Sequence, residues 1–169
     1  MNVQDKRAAP IEALQVAPLA RPPNYPKAVL DLLGSRLSGR TKRALGDHFG
    51  LSNFGVNLTQ LAPGGVSSLS HAHLLQDELV YIVQGTPTLC TDEGRVVLQP
   101  GMCVGFKAGS GQAHCLRNDS ASDVILLEIG DRTAGDVVTF PDDDLRARTD
   151  ERGWQFTHRD GTPFTDPTP

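Results

Sequence analysis

Cysteine is scarce in this chain, and so is any excess of positive charge. The three cysteines, Cys90, Cys103 and Cys115, are odd in number and form no C-x-x-C pair. That pattern excludes a disulfide framework and fits a reducing compartment, so a cytoplasmic protein is expected. Each cysteine reads as a small buried hydrophobe. Sixteen Lys and Arg stand against twenty Asp and Glu, for a net charge of −4. No basic surface is offered to nucleic acid, and no polybasic anchor to a membrane. No apolar run reaches the roughly 20 residues a membrane-spanning helix needs. The opening MNVQDKRAAPIEAL has early charges and no apolar core, so no secretory leader is expected. A P-loop, a dinucleotide fingerprint and a serine-hydrolase elbow are all missing. No internal repeat or linker divides the 169 residues, which fit one domain with modest extensions.

What is present changes along the chain. Up to about residue 27 proline and alanine dominate, and Pro18, Pro22, Pro23 and Pro26 exclude a continuous helix. Residues 1–39 therefore read as an extended arm. A short helix from Ala28 to Leu37 carries Val29, Leu32, Leu33 and Leu37 on one face. The cationic stretch Arg36, Arg40, Lys42 and Arg43 reads as a solvated face. From Ser52 the period becomes two, with Phe54, Val56 and Leu58 expected on the buried side. Short strands are then predicted over 66–73, 78–84, 86–91, 95–98, 102–106, 113–118 and 123–129. The turns between them include Asp92-Glu93-Gly94, Pro100-Gly101 and Gly109-Ser110-Gly111. Many short strands, glycine turns and few helices predict an all-β antiparallel barrel over residues 40–140. Val137–Phe140 is a candidate last strand. Residues 141–169 read as an ordered wrap, in which Asp142-Asp143-Asp144 cap a helical turn and the last few residues are loose.

The chemistry concentrates in GVSSLSHAHLLQDELVYIVQG, Gly65 to Gly85. Residues two apart on a strand share a face, so His71 and His73 make a two-toothed claw for a transition metal. Glu78 is five residues beyond His73, and the chain must bend to bring it alongside. His114, from a separate strand, completes the set. Three imidazoles and a carboxylate suit Mn, Fe, Ni, Cu or Zn far better than Ca or Mg. On a six-coordinate metal they leave two positions for water or substrate, as a catalytic metal requires. Glu78 is also a candidate base, if only loosely attached to the metal.

This spacing resembles the first cupin motif at every defined position: Gly65, His71, His73, Glu78 and Gly85. Gly111, His114 and Asn118 resemble the end of the second motif, although Lys107-Ala108-Gly109 stands where many cupins have Pro-Ala-Gly. The resemblance to bacterial single-domain cupins runs from about Arg40 to the end. It implies a double-stranded β-helix (jelly-roll) barrel, a homodimer, and a divalent metal (Fe, Mn, Zn or Ni) held by His71, His73, Glu78 and His114. Some members of that group carry sugar-phosphate isomerase labels.

Around these residues, Asp77 points away by its alternation phase. Gln84 and Asn118 are candidates to hydrogen-bond the ligands, Tyr81 to pack between sheets, and Lys107, Arg117 and Arg95 to contact an anion. His48 and His158 read as surface histidines. Cys115 faces away from the site if His114 faces in. Val80, Ile82, Phe106 and Leu116 are candidate pocket walls. Three functions stay open: a metal-dependent enzyme on a small polar or anionic molecule, such as a sugar-phosphate isomerase; an iron-dependent dioxygenase; and a non-catalytic barrel that binds a small molecule.

Overall fold

Alternation with a period of two, interrupted by glycine turns, yields twelve short strands among the described residues. The computed structural model describes residues 9–19, 27–151 and 153–164. The proline cluster at 22–26 and the expected loose end at 165–169 lie outside them. Ahead of the strands come a 3-10 turn at Ala13–Gln15, helix α1 at Lys27–Leu33 and a second 3-10 turn at Gly34–Leu37, which match the short helix read from the sequence. No described helix is long and apolar enough to cross a membrane.

One sheet holds five strands in the order β1 (Arg40–Ala44), β2 (Phe54–Leu61), β9 (Val124–Asp131), β4 (Glu78–Gln84) and β7 (Cys103–Phe106). A short helix α2, Leu45–His48, joins β1 to β2. A second sheet orders β12 (Gly153–Thr157), β11 (Leu145–Asp150), β10 (Val137–Phe140) and β3 (Ala72–His73). A third orders β6 (Gly94–Val97), β5 (Thr88–Thr91) and β8 (His114–Arg117). Every pairing is antiparallel. Isolated bridges Val66↔Arg117 and His71↔His114 tie the approach to β3 onto β8.

Two apolar clusters hold these sheets together. Leu61, Val80, Ile82, Leu116, Val124 and Leu126 fill the first, each nearly or wholly out of solvent. The second packs Val29 and Leu33 of α1 against Val138, Leu145, Ala147 and Phe156 of the C-terminal strands. Burying one such side chain contributes about 1.5–3 kcal/mol. Two motif glycines are demanded by close approach. A Cβ on Gly65 would sit 2.8 Å from the Gly39 carbonyl oxygen, and one on Gly85 (φ 80°) 2.8 Å from that of Asp123.

Several expectations change. On β2 the cavity-facing phase is the opposite one: Asn57 lines the cavity and Thr59 and Leu61 are buried; of the expected set Leu58 is buried, Val56 is half-buried and Phe54 is exposed. The alternation of Phe54, Val56 and Leu58 marks the outer face, which is itself apolar. The stretch 66–71 is bent rather than a strand. The cations of 40–43 form β1, not a solvated face. Tyr81 lies on the outer surface of β4, not between sheets. After Gly130 the strand pattern continues: 141–144 is a turn without helix, and the tail adds β11 and β12 to the β10 sheet.

Candidate metal centre

The bend after β3 carries Glu78 back to the histidines, as the five-residue gap requires. Glu78 begins β4 with its side chain inside the barrel, opposite Gly130 on β9. His71 and His114 face each other across their bridge, with ring centroids 4.7 Å apart. The donor atoms of His71, His73 and Glu78 lie within 4.8 Å of one another. Glu78 Oε2 stands 3.6 Å from His71 Nε2, 3.9 Å from His73 Nε2 and 3.2 Å from His114 Nε2. Ligand atoms that share one tetrahedral ion at about 2.1 Å are separated by about 3.4 Å.

Two further observations fit a cation. Glu78 Oε2 is buried and has no hydrogen-bond partner. A buried carboxylate oxygen left so is costly unless something positive meets it. The histidines are also oriented from behind. His73 Nδ1 meets Asp136 Oδ2 at 2.6 Å, and His71 Nδ1 meets the Leu69 carbonyl at 3.0 Å. With Nδ1–H donated outward, each Nε2 lone pair is left for the centre. Asp136 is itself fully buried and fixed by the Leu75 N–H at 2.8 Å. Phe106 stacks flat on His114, with centroids 3.4 Å apart.

Electrostatics follow from this crowding. Burial pushes the Glu78 carboxyl up, but His114 and His71 outweigh it and hold the group well below the usual carboxylate range. Burial alone would lower His71, yet Glu78 raises it. For His114 burial prevails over Glu78, and its pKa falls.

The cluster opens into a cavity of about 870 Å³, within the size range of small-molecule sites. Arg40, Lys42 and Arg132 are its cations, with Glu128, Asp131 and Asp150 on its walls and Trp154 and Phe156 of the C-terminal hairpin along one side. Val80 and Leu116 line it as expected, whereas Ile82 is sealed in the core. The anion candidates lie elsewhere. Lys107 pairs with Asp77 at the surface, Arg117 pairs with Asp119, and Arg95 is on exposed β6. Asp77 points away from the histidines, as its phase implied, and accepts from Lys107 and the Ala108 N–H. Gln84 is at the exposed end of β4. Asn118 is buried but clamps a turn, donating to the Leu61 and Ser122 carbonyls. His48 is exposed, and His158 is tied to Asp144. Cys115 pairs in register with Cys90 on β5, outside the site.

The sequence reading missed Lys42, Thr59, Glu128 and Asp136. One signal was available: Glu128 interrupts the apolar run VILLEIG in phase with buried Val124 and Leu126.

This arrangement defines a class, and the comparisons agree. The sequence profile of the cupin domain matches residues 57–130. A sugar phosphate isomerase of the cupin superfamily from Silicibacter pomeroyi superimposes with a TM-score of 0.75 at 39% identity, over 79% of this chain and 85% of that one. A protein from Acidithiobacillus ferrooxidans, provisionally named a sugar phosphate isomerase, gives 0.67 at 30% identity, over 76% and 81%. A polyketide cyclase from Streptomyces resistomycificus shares the fold alone, with a TM-score of 0.57 at 16% identity over 74% and 80%. No functionally curated protein matches. The chain belongs to the cupin superfamily, and among its relatives are proteins named as sugar phosphate isomerases.

Proposed function

We propose that this cupin is a metal-dependent isomerase of a sugar phosphate or a similar small hydroxy-carbonyl anion. In this reading His71, His73, Glu78 and His114 hold one divalent transition metal. The observation that carries it is Glu78 Oε2, buried without a hydrogen bond and surrounded by three imidazole Nε2 atoms. When bound, the metal supplies Lewis-acid polarisation of adjacent substrate oxygens. The chain supplies the rest. Asp136 and the Leu69 carbonyl hold His73 and His71 in the tautomer that points Nε2 inward. Arg40 donates to the Ser67 carbonyl and has no carboxylate partner among the described residues, so its charge is available to an anionic group in the cavity. Val80, Leu116 and Phe140 exclude water from one side. Glu78 serves as ligand rather than base in this scheme, because its Oε2 is directed at the three imidazole Nε2 atoms.

The names of the two relatives support an isomerase over the alternatives. A second copy of the chain is proposed to cover the outer face of the five-stranded sheet. There Leu79, Tyr81 and Val83 are 40, 40 and 44% exposed on one strand. The test is elemental analysis of anaerobically purified protein, followed by assay of ketose phosphates without oxygen. Conversion that needs a divalent metal and no O₂ is expected. Iron with oxygen consumption would replace this reading by a dioxygenase, and ligand binding without turnover by a binding barrel.

A further inference from the structure

Beside Glu78 on the five-stranded sheet, the cavity contains a second polar constellation that the metal does not require. Lys42 on β1, Thr59 on β2 and Glu128 on β9 occupy three adjacent strands on the inner face. Thr59 Oγ1 donates to Glu128 Oε2 at 2.9 Å, and Lys42 Nζ stands 2.5 Å from the same oxygen. Thr59 is fully buried, and the Glu128 and Lys42 side chains are 9 and 28% exposed. An ion pair kept this far from water is a poor device for stability, since apolar residues of similar size do as well. Its neighbours on the inner face, Val80 and Leu126, are such residues.

The placement is more telling than the burial. Both contacts fall on Oε2, so Oε1 carries none among the described residues, and Glu128 lines the cavity. Glu78 pairs in register with Gly130, and Val80 with Glu128. The two carboxylates are thus diagonal neighbours on one sheet face, about 7 Å apart at the backbone. One sits among the imidazoles, and the other is clamped by one oxygen with its second oxygen free.

We infer that Glu128 is the proton-transfer base of this site, held by Thr59 and Lys42 so that Oε1 meets the carbon beside the substrate carbonyl. The inference rests on the isomerase reading and names the group that reading left unassigned. Oε1 takes the C2 proton of an aldose; the C–H electron pair becomes the C1=C2 bond, and the carbonyl pair moves to O1, giving an enediolate. The O2 proton passes to O1 as the C2 carbonyl forms, and Glu128 returns its proton to C1. One hydrogen has moved from C2 to C1 and one from O2 to O1, with no co-reactant. Lys42 and Thr59 are positioning residues.

The experiment is deuterium wash-in. Wild type, Glu128→Gln and Glu128→Asp, each loaded with Mn²⁺, are incubated in D₂O with ketose phosphates of three to seven carbons. Exchange of the C–H next to the carbonyl is followed by NMR. Metal content, melting temperature and calorimetric binding of the hydroxamate analogue of the exchanging sugar are measured alongside. Glu128→Gln is expected to keep its metal and bind the hydroxamate within about 3-fold of wild type, yet to lose about 100-fold or more in exchange, the loss falling on kcat rather than KM. If the Gln variant does not fold, Glu128→Asp carries the test, with its fold and metal kept and exchange down about 10-fold. Exchange at the wild-type rate in a folded variant overturns the role of Glu128 and leaves the isomerase standing. Loss of metal or of hydroxamate binding in step with exchange makes the residue structural and also overturns it. A wild type that exchanges none of the panel overturns the isomerase reading, and this inference with it.

Discussion

The two polar clusters that wall the cavity, adjacent to each other through Glu78 and Glu128, are built in opposite ways. On one, His71, His73 and Glu78 fall within eight residues of sequence, with His114 added by a bridge to His71. On the other, Lys42, Thr59 and Glu128 come from three strands spread over 87 positions and meet only through sheet pairing. The first wall has an orphaned oxygen among imidazoles, while in the second Glu128 Oε2 is already met by Thr59 and Lys42. A wall that lacks a partner is suited to capturing an ion, and one that is already paired to holding a single side chain still.

Removing a ligand separates the two walls most sharply. His71→Ala is expected to bind metal more than about 100-fold more weakly, beyond the usual cost of losing a residue behind a ligand. The barrel stays folded, because His71 contributes no side chain to either apolar cluster. Competition with a chelator, read by elemental analysis, checks this. Unchanged metal content would remove the histidine wall from the account.

Asp136→Ala should come next, at about 10–100-fold in metal affinity. The variant frees the His73 ring from its 2.6 Å contact and leaves the Leu75 N–H unmet. The same titration reads it, and a loss equal to that of His71→Ala would mean that Asp136 acts on more than His73.

The second wall predicts a different signature. Lys42→Met leaves the nearly buried Glu128 carboxylate without its cation, which should cost about 1–3 kcal/mol in denaturant unfolding. The double variant Lys42→Met/Glu128→Leu should recover most of that loss, with metal affinity unchanged throughout. Additive losses would show that the pair is not coupled.

Legibility follows the same division. The histidine wall was readable because ligand spacing is local, and because Gly65 and Gly85 mark turns where backbone would clash with any Cβ. The barrel strands were readable from alternation. The second wall was not, since a threonine, a lysine and a glutamate each look ordinary until sheet register brings them together. On β2 the alternation of Phe54, Val56 and Leu58 picks out the face turned away from the cavity, which is apolar as well and on which Leu58 is buried. Apolar alternation identifies a buried face only where the other face is wet. The C-terminal hairpin failed for a related reason: RARTDERGWQFT is too polar to announce strands, yet it borders a polar cavity.

The smallest expected effect tests the phase of β8 directly. If His114 faces the cavity, Cys115 must face the other way, against Cys90. There burial, with Cys90 beside it, raises the Cys115 thiol from 9.0 to about 11. A raised pKa keeps the reactive thiolate scarce below that value. At pH 8 it amounts to about one part in a thousand, against roughly a tenth or more for an ordinary thiol. Alkylation of Cys115 should therefore be about 100-fold slower than that of a free thiol at pH 8, and should rise about tenfold per pH unit toward 11. Cys103, exposed on the outer face of β7, supplies the comparison within the same chain. Mass spectrometry of the labelled peptides distinguishes the two. Labelling of Cys115 as fast as Cys103 near neutral pH would mean that β8 presents its other face, which would take His114 out of the metal centre.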